Sequence, residues 1–173
     1  QAPGVVGTAD AAAFFDAARR GASHVVSLGS ALPTADGLLV PHEEEGDGLR
    51  EYYLGWCGGP PGWARRLVSM HRATRDARWI ESLAAATRST IALVLPASLA
   101  MLYPWGQPRP WDNLGQCCGA AAVGTFLLAL ADVNDVPVNA SIKTAARARA
   151  LALADVLAAN HTAPAEPAAR GRA

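Results

Sequence analysis

The sequence predicts an all-α fold, and three observations carry that prediction. Apolar residues recur at helical spacing in five separate segments. No run of alternating apolar residues is long enough to build a sheet. Alanine, the strongest helix former, supplies 38 of the 173 residues, which suits helices that pack closely. A chain of 17.9 kDa fits one domain or a piece of a larger one.

The elements follow in order. Residues 10–29 form the first expected helix, with Ala13, Phe14, Ala17, Ala18 and Ala22 on one face and Gly21 interrupting it. Residues 32–53 are a long connection punctuated by Pro33, Gly37, Pro41, Gly46 and Gly48. Its charged centre, Glu43-Glu44-Glu45-Gly46-Asp47, reads as solvated surface. A second helix starts after Pro60-Pro61-Gly62, carries Leu67, Val68, Met70 and His71, and stops near Asp76. The third spans residues 79–95, with Ile80, Leu83, Ala84, Thr87, Ile91 and Leu95 on one face and Pro96 as a kink or an end. Residues 103–113 are irregular, with Pro104, Pro108 and Pro110. A fourth helix covers 120–130 and a fifth 142–159, the last with Ala145, Ala148, Leu151, Ala152 and Val156 as its buried stripe. The domain is expected over 1–163, followed by a mobile Pro/Ala/Arg-rich tail over 164–173.

Composition excludes several classes. Fifteen basic residues balance fifteen acidic ones, and the pI is near 7.1, so there is no electrostatic footprint for nucleic acid. No stretch reaches the roughly 18 apolar residues that a membrane span needs. Gly-x-Gly-x-x-Gly, a P-loop, a Ser/His/Asp set and His-Glu-x-x-His are all absent from the sequence. The start at Gln1 is expected to reflect removal of something upstream, which leaves a processed organellar or secreted form open. The sequons at Asn139 and Asn160 matter only in a secreted protein.

The chemistry lies in a repeat. Cys57-Gly58-Gly59-Pro60-Pro61-Gly62 leads into one helix, and Cys117-Cys118-Gly119-Ala120-Ala121-Ala122 leads into another, 60 residues later. Both read Cys-x-Gly-x-x-small, and each follows an irregular stretch containing Trp. Repeated helix pairs with a Cys at equivalent helix starts point to a toroid or solenoid. All three cysteines of the chain lie in these motifs. At helix N-termini the dipole and free N–H groups favour thiolate. Three thiolates with an open fourth position describe a catalytic type of zinc site. The alternatives are small buried hydrophobes beside tight turns, or a vicinal disulfide between Cys117 and Cys118.

These residues also carry a resemblance. Tyr52-Tyr53-Leu54-Gly55-Trp56-Cys57-Gly58-Gly59-Pro60-Pro61-Gly62 looks like the Trp-Cys motif of the lanthionine synthetase C-like (LanC-like) family. Asn113-Leu114-Gly115-Gln116-Cys117-Cys118-Gly119 resembles that family's Cys-His-Gly motif, in a Cys-Cys-Gly variant. The resemblance covers residues 21–159. It implies a partial α/α toroid around a central Zn²⁺, with Cys57 and Cys117 as ligands and Cys118 where the family has a His. It also implies zinc-assisted addition of a peptide Cys or glutathione thiol to dehydroalanine or dehydrobutyrine, in the cytoplasm. Three thiolates would make the zinc site one unit more negative than a Cys₂His set, which weakens the Lewis acid but favours a nucleophilic bound thiolate.

The chain departs from the family pattern at Gly58, where the family has His or Tyr, and at Tyr53, where some members carry Arg. The upstream His-Gly motif and the final Gly-rich hairpin are missing, and a full toroid is longer than this chain. The expectation is therefore a zinc-bearing part completed by a protein partner, or a non-catalytic helical subunit of a larger assembly. His42, fifteen residues before Cys57, is the candidate acid, with a solvated loop histidine as its plain alternative. His24 and His71 read as packing or capping residues. Asp112 reads as a turn or a ligand-side acceptor. Trp56, Trp63, Trp105 and Trp111 read as core or as a peptide-binding mouth. Arg65 and Arg66 read as surface or as partners of a carboxylate or phosphate.

Overall fold

Helix boundaries follow the punctuation of the sequence. A computed structural model describes residues 8–41, 52–94, 115–117 and 119–162. Among the described residues there are five helices and no strand: α1 (Thr8–Ser27), α2 (Pro60–Thr74), α3 (Arg78–Leu93), α4 (Ala120–Asp132) and α5 (Ala140–Thr162). The expected all-α class holds. Pro96, the 103–113 stretch and the 164–173 tail lie outside the described residues. Among the described residues no helix is long and apolar enough to cross a membrane.

Local chemistry sets the ends. α2 begins with two prolines, whose fixed φ and missing N–H suit a first turn. It closes on Arg75, which is left-handed at φ 59° and whose N–H donates to the His71 carbonyl at 2.7 Å. The His71 ring nitrogen Nδ1 meets the Asp76 carbonyl at 3.0 Å, so this buried histidine serves packing and the helix end. α5 starts two residues before the expected position because Asn139 caps it. The Asn139 side-chain oxygen accepts from the Ser141 N–H at 2.8 Å.

The helices pair as α2 with α3 and α4 with α5, and contacts of α3 with α5 and of α2 with α4 join the pairs. Leu67, Trp79, Leu83, Leu127 and Leu153 form the centre of the core, each nearly or fully buried. Burial of each such aliphatic side chain contributes about 1.5–3 kcal/mol. Trp79 keeps its indole N–H satisfied by the Thr74 hydroxyl at 3.0 Å. α3 is buried on more than one side: Thr87, Ser89 and Thr90 are fully enclosed together with Leu83 and Leu93. Their hydroxyls donate to carbonyls one turn back, Thr87 to Leu83 at 2.7 Å and Thr90 to Ala86 at 2.8 Å.

Three expectations are corrected. Gly21 does not end α1, because nothing crowds it and the helix continues to Ser27. The expected apolar face of α1 is not covered among the described residues: Phe14 is 70% exposed, and only Ala22 and Val26 pack against the main core. In α5 the buried stripe is Ala146, Ala150 and Leu153, whereas Leu151 is exposed. Alanine occurs on every side of that helix, so spacing alone does not select a face. Contact with α4 does.

Candidate thiol site

The two Cys motifs fold alike. In the first, the Gly59 N–H donates to the Gly55 carbonyl at 2.8 Å and the Gly62 N–H to the Gly59 carbonyl at 3.0 Å. In the second, the Gly119 N–H donates to the Gly115 carbonyl at 3.0 Å and the Ala122 N–H to the Gly119 carbonyl at 3.1 Å. Gly59 and Gly119 are the N-caps of α2 and α4, both extended and both without a side-chain cap. Cys57 and Cys117 thus each sit two residues before an N-cap glycine. The glycines supply space rather than unusual φ. A Cβ on Gly59 would lie 2.5 Å from the Tyr53 carbonyl oxygen, and one on Gly62 would collide with the Trp56 carbonyl oxygen.

One main-chain bond ties the turns together: the Trp56 N–H donates to the Cys117 carbonyl at 2.8 Å. With the turns joined, Cys57 Sγ and Cys117 Sγ approach to 3.0 Å, and both residues are exposed. The residues that the sequence places 60 apart are brought together at adjoining helix starts. Cys118 and His42 lie outside the described residues. Among the described residues no group of three or more His, Cys, Asp or Glu side chains gathers to hold a metal.

The pair fits a shared thiophilic metal in part. Zn–S bonds of about 2.3 Å in a tetrahedron place two sulfurs about 3.8 Å apart. Cys57 and Cys117 would have to part by less than an ångström, which rotation about their own side-chain bonds can supply at an exposed position. They provide two of the ligands that a zinc site needs.

Cys57 lines a cleft of about 900 Å³. Val25 of α1, Leu28 just after that helix, Phe126 and Leu130 of α4 and the α2 side chains Trp63, Arg65, Arg66 and Arg72 line it, together with Val40, Pro41 and Trp56. Arg65 stacks over the Trp56 ring, 5.0 Å from its centroid. Arg72 grips Asp135 with two bonds, Nε to Oδ2 at 2.6 Å and Nη2 to Oδ1 at 2.9 Å. That contact holds the Asp135 carboxyl below its ordinary range and raises Arg72. Trp56 stands 42% exposed. Trp63 is half-buried, and its Nε1 has no hydrogen-bond partner among the described residues. Trp105, Trp111 and Asp112 lie outside the described residues.

Comparison with protein families, with curated proteins and with solved structures finds no match to this chain. The functional reading rests on its own residues. The cleft was the feature the linear motifs did not announce. Its signal was the Arg65-Arg66 pair one turn into a helix that begins at a cysteine turn.

Proposed function

We propose that this chain is a LanC-like zinc-binding protein in which Cys57, Cys117 and Cys118 hold Zn²⁺ and the site activates a thiol for addition to dehydroalanine or dehydrobutyrine. The observation that carries the reading is the duplicated turn that sets two exposed thiols 3.0 Å apart at the edge of a cleft. When bound, zinc would lower the pKa of a substrate thiol and keep it as thiolate. The chain's own residues do the rest. The paired turns bring the ligand sulfurs together, and Leu28, Phe126 and Leu130 give the cleft beside Cys57 an apolar wall for the substrate. The thiolate sulfur forms a bond to the alkene β-carbon, the C=C π pair moves to the α-carbon, and the proton released from the thiol is returned there. A cysteine or glutathione thiol is the expected donor, and His42 is the candidate to carry the proton.

Elemental mass spectrometry on protein purified without chelator tests this. One zinc per chain, lost in Cys57→Ala and in Cys117→Ala, is the expected result, with thioether formation on a dehydroalanine peptide as the second readout. Metal-free protein whose three thiols all alkylate in the folded state would overturn the reading.

A second reading has its own observation. Phe14 and Phe15 of α1 are 70% and 42% exposed, an apolar surface that a partner in a larger assembly would cover. On that reading the chain is a non-catalytic helical subunit whose cysteine turns serve folding and docking. A stable monodisperse monomer in analytical ultracentrifugation would count against it, and turnover on the dehydroalanine peptide would rule it out.

A further inference from the structure

We infer that the cleft beside Cys57 recognises an acidic peptide, with Arg65 and Arg66 reading a carboxylate and the Trp63 indole N–H taking a second acceptor. The inference begins with a donor–acceptor imbalance. Among the described residues no Asp or Glu lines the cleft, whereas three arginines do. Arg72 is committed to Asp135. Elsewhere Arg78 pairs with Asp76, Arg88 with Asp36 and Arg147 with Asp132. Arg65 and Arg66 differ. The Arg65 guanidinium sits over the Trp56 ring, a contact with the π-face that uses none of its five N–H donors as hydrogen bonds. Arg66 makes no hydrogen bond, ion pair or ring contact among the described residues. Trp63, on the same helix, also lines the cleft, and its Nε1 is a buried donor with no acceptor among the described residues. A buried unsatisfied N–H is costly, and a ligand acceptor would remove that cost.

The rest of the cleft selects the class of ligand. An inorganic anion would leave the apolar floor of Val25, Leu28, Phe126 and Leu130 bare. A volume of about 900 Å³ lies at the upper end of the roughly 300–1,000 Å³ of ordinary ligand pockets. A peptide covers such a floor with side chains, satisfies Trp63 with a carbonyl and meets the guanidinium groups with Asp or Glu. In naming a substrate class the inference rests on the thiol-site reading, whereas the charge preference of the groove is measurable without any thiol.

The test uses fluorescein-labelled octapeptides without cysteine, matched except for a central Asp-Glu, Asn-Gln or Lys-Lys pair, and reads binding by anisotropy. The acidic peptide is expected to bind about tenfold more tightly than its amide twin, the size of one charge-assisted pair in a half-open groove. The advantage should shrink as salt rises. Arg66→Gln and Arg65→Gln should each remove most of it, while Arg147→Gln, outside the cleft, keeps it. Trp63→Phe should weaken the acidic and amide peptides alike, since it removes a donor and no charge.

Equal binding of the three peptides, a preference that survives the Arg65→Gln/Arg66→Gln double change, or tighter binding of a uridine decamer would overturn the inference. Cys57→Ala separates the two readings. Metal lost with the acidic preference intact supports the groove alone. Metal bound by the unaltered chain and lost in Cys57→Ala, with no charge preference in either, refutes the groove and leaves the thiol site standing.

Discussion

Ser89→Ala tests how the wall of the cleft is held. Ser89 lies in α3 and is fully buried. Its hydroxyl oxygen accepts from the Leu38 N–H at 2.7 Å, and its proton is shared between the Leu32 carbonyl, in a short contact, and the Ala85 carbonyl at 3.3 Å. One side chain therefore satisfies two main-chain groups of the connection that carries Val40 and Pro41 along the cleft. Gly37 packs onto the same hydroxyl, where a Cβ would stand 2.6 Å from Ser89 Oγ. Alanine removes the oxygen and leaves the Leu38 N–H and the Leu32 C=O unpaired. A fully buried orphan costs about 1–3 kcal/mol. Leu32 and Leu38 are only half-buried, so water recovers part of the loss, and the low end applies to each. The expected destabilisation is about 2 kcal/mol, a large share of a typical 5–15 kcal/mol total. Urea unfolding followed by helical circular dichroism measures it, and hydrogen exchange at Leu38 reports the local effect. A change below about 0.5 kcal/mol, with the Leu38 amide still protected, would show that the connection is held by its own turn rather than by α3.

Gly59→Ala forces a Cβ to within 2.5 Å of the Tyr53 carbonyl oxygen. It should cost about 2–3 kcal/mol in urea unfolding and, by displacing the first turn, reduce bound zinc in the same preparation. Arg75→Gly relieves a left-handed residue at φ 59° and should stabilise the chain by about 0.5–1 kcal/mol, read as a higher urea midpoint with an unchanged slope. The Arg72 hydrogen bonds depress the Asp135 carboxyl. The stability they supply is therefore present above the unfolded carboxylate value of about 3.9 and is lost as pH falls through the lower folded value. Asp135→Asn should separate its urea midpoint from that of the unaltered chain by a constant gap above about pH 5, and the gap should close below about pH 4.

The fold class and the two helix starts were legible because each is written locally. Pro60-Pro61 and the repeated Cys-x-Gly fix their turns with residues in direct succession. The Asn139-x-Ser141 cap was equally local, and reading Asn139 as a sequon obscured it. What local reading could not decide was which face of an alanine-rich helix is buried. In α5 the contrast between faces is small, so Leu153 and Leu151 look alike in sequence, while α4 covers one and leaves the other in water. In α1 the stripe was found and its burial was not, since burial depends on a neighbour that spacing does not name. The thiol pair was anticipated from the repeat. The cleft was not, because Val25, Trp63 and Phe126 come from three helices whose meeting depends on packing.

The arrangement of the site explains why glycines, rather than larger residues, surround the cysteines. The separation of the two sulfurs is set by the main chain: two similar turns, each closed by its own N–H to carbonyl bond, are joined by the bond from Trp56 to Cys117. For that joint to form, the Trp56 carbonyl must lie against Gly62 and the Tyr53 carbonyl against Gly59, at distances no Cβ tolerates. The glycines thus act through the space they leave, and Gly59 at φ −95° needs no special backbone freedom. A site built this way does not depend on side-chain packing around the thiols, so they can remain exposed to a substrate while the main-chain positions that carry them stay fixed. At 3.0 Å that spacing lies between the roughly 2.05 Å of a disulfide and the roughly 3.8 Å of two sulfurs on one zinc. Rotation about the cysteine side-chain bonds shifts that spacing toward one value or the other. The redox state of the pair and its metal content are therefore mutually exclusive outcomes at the same two atoms, and each must be measured with the other controlled.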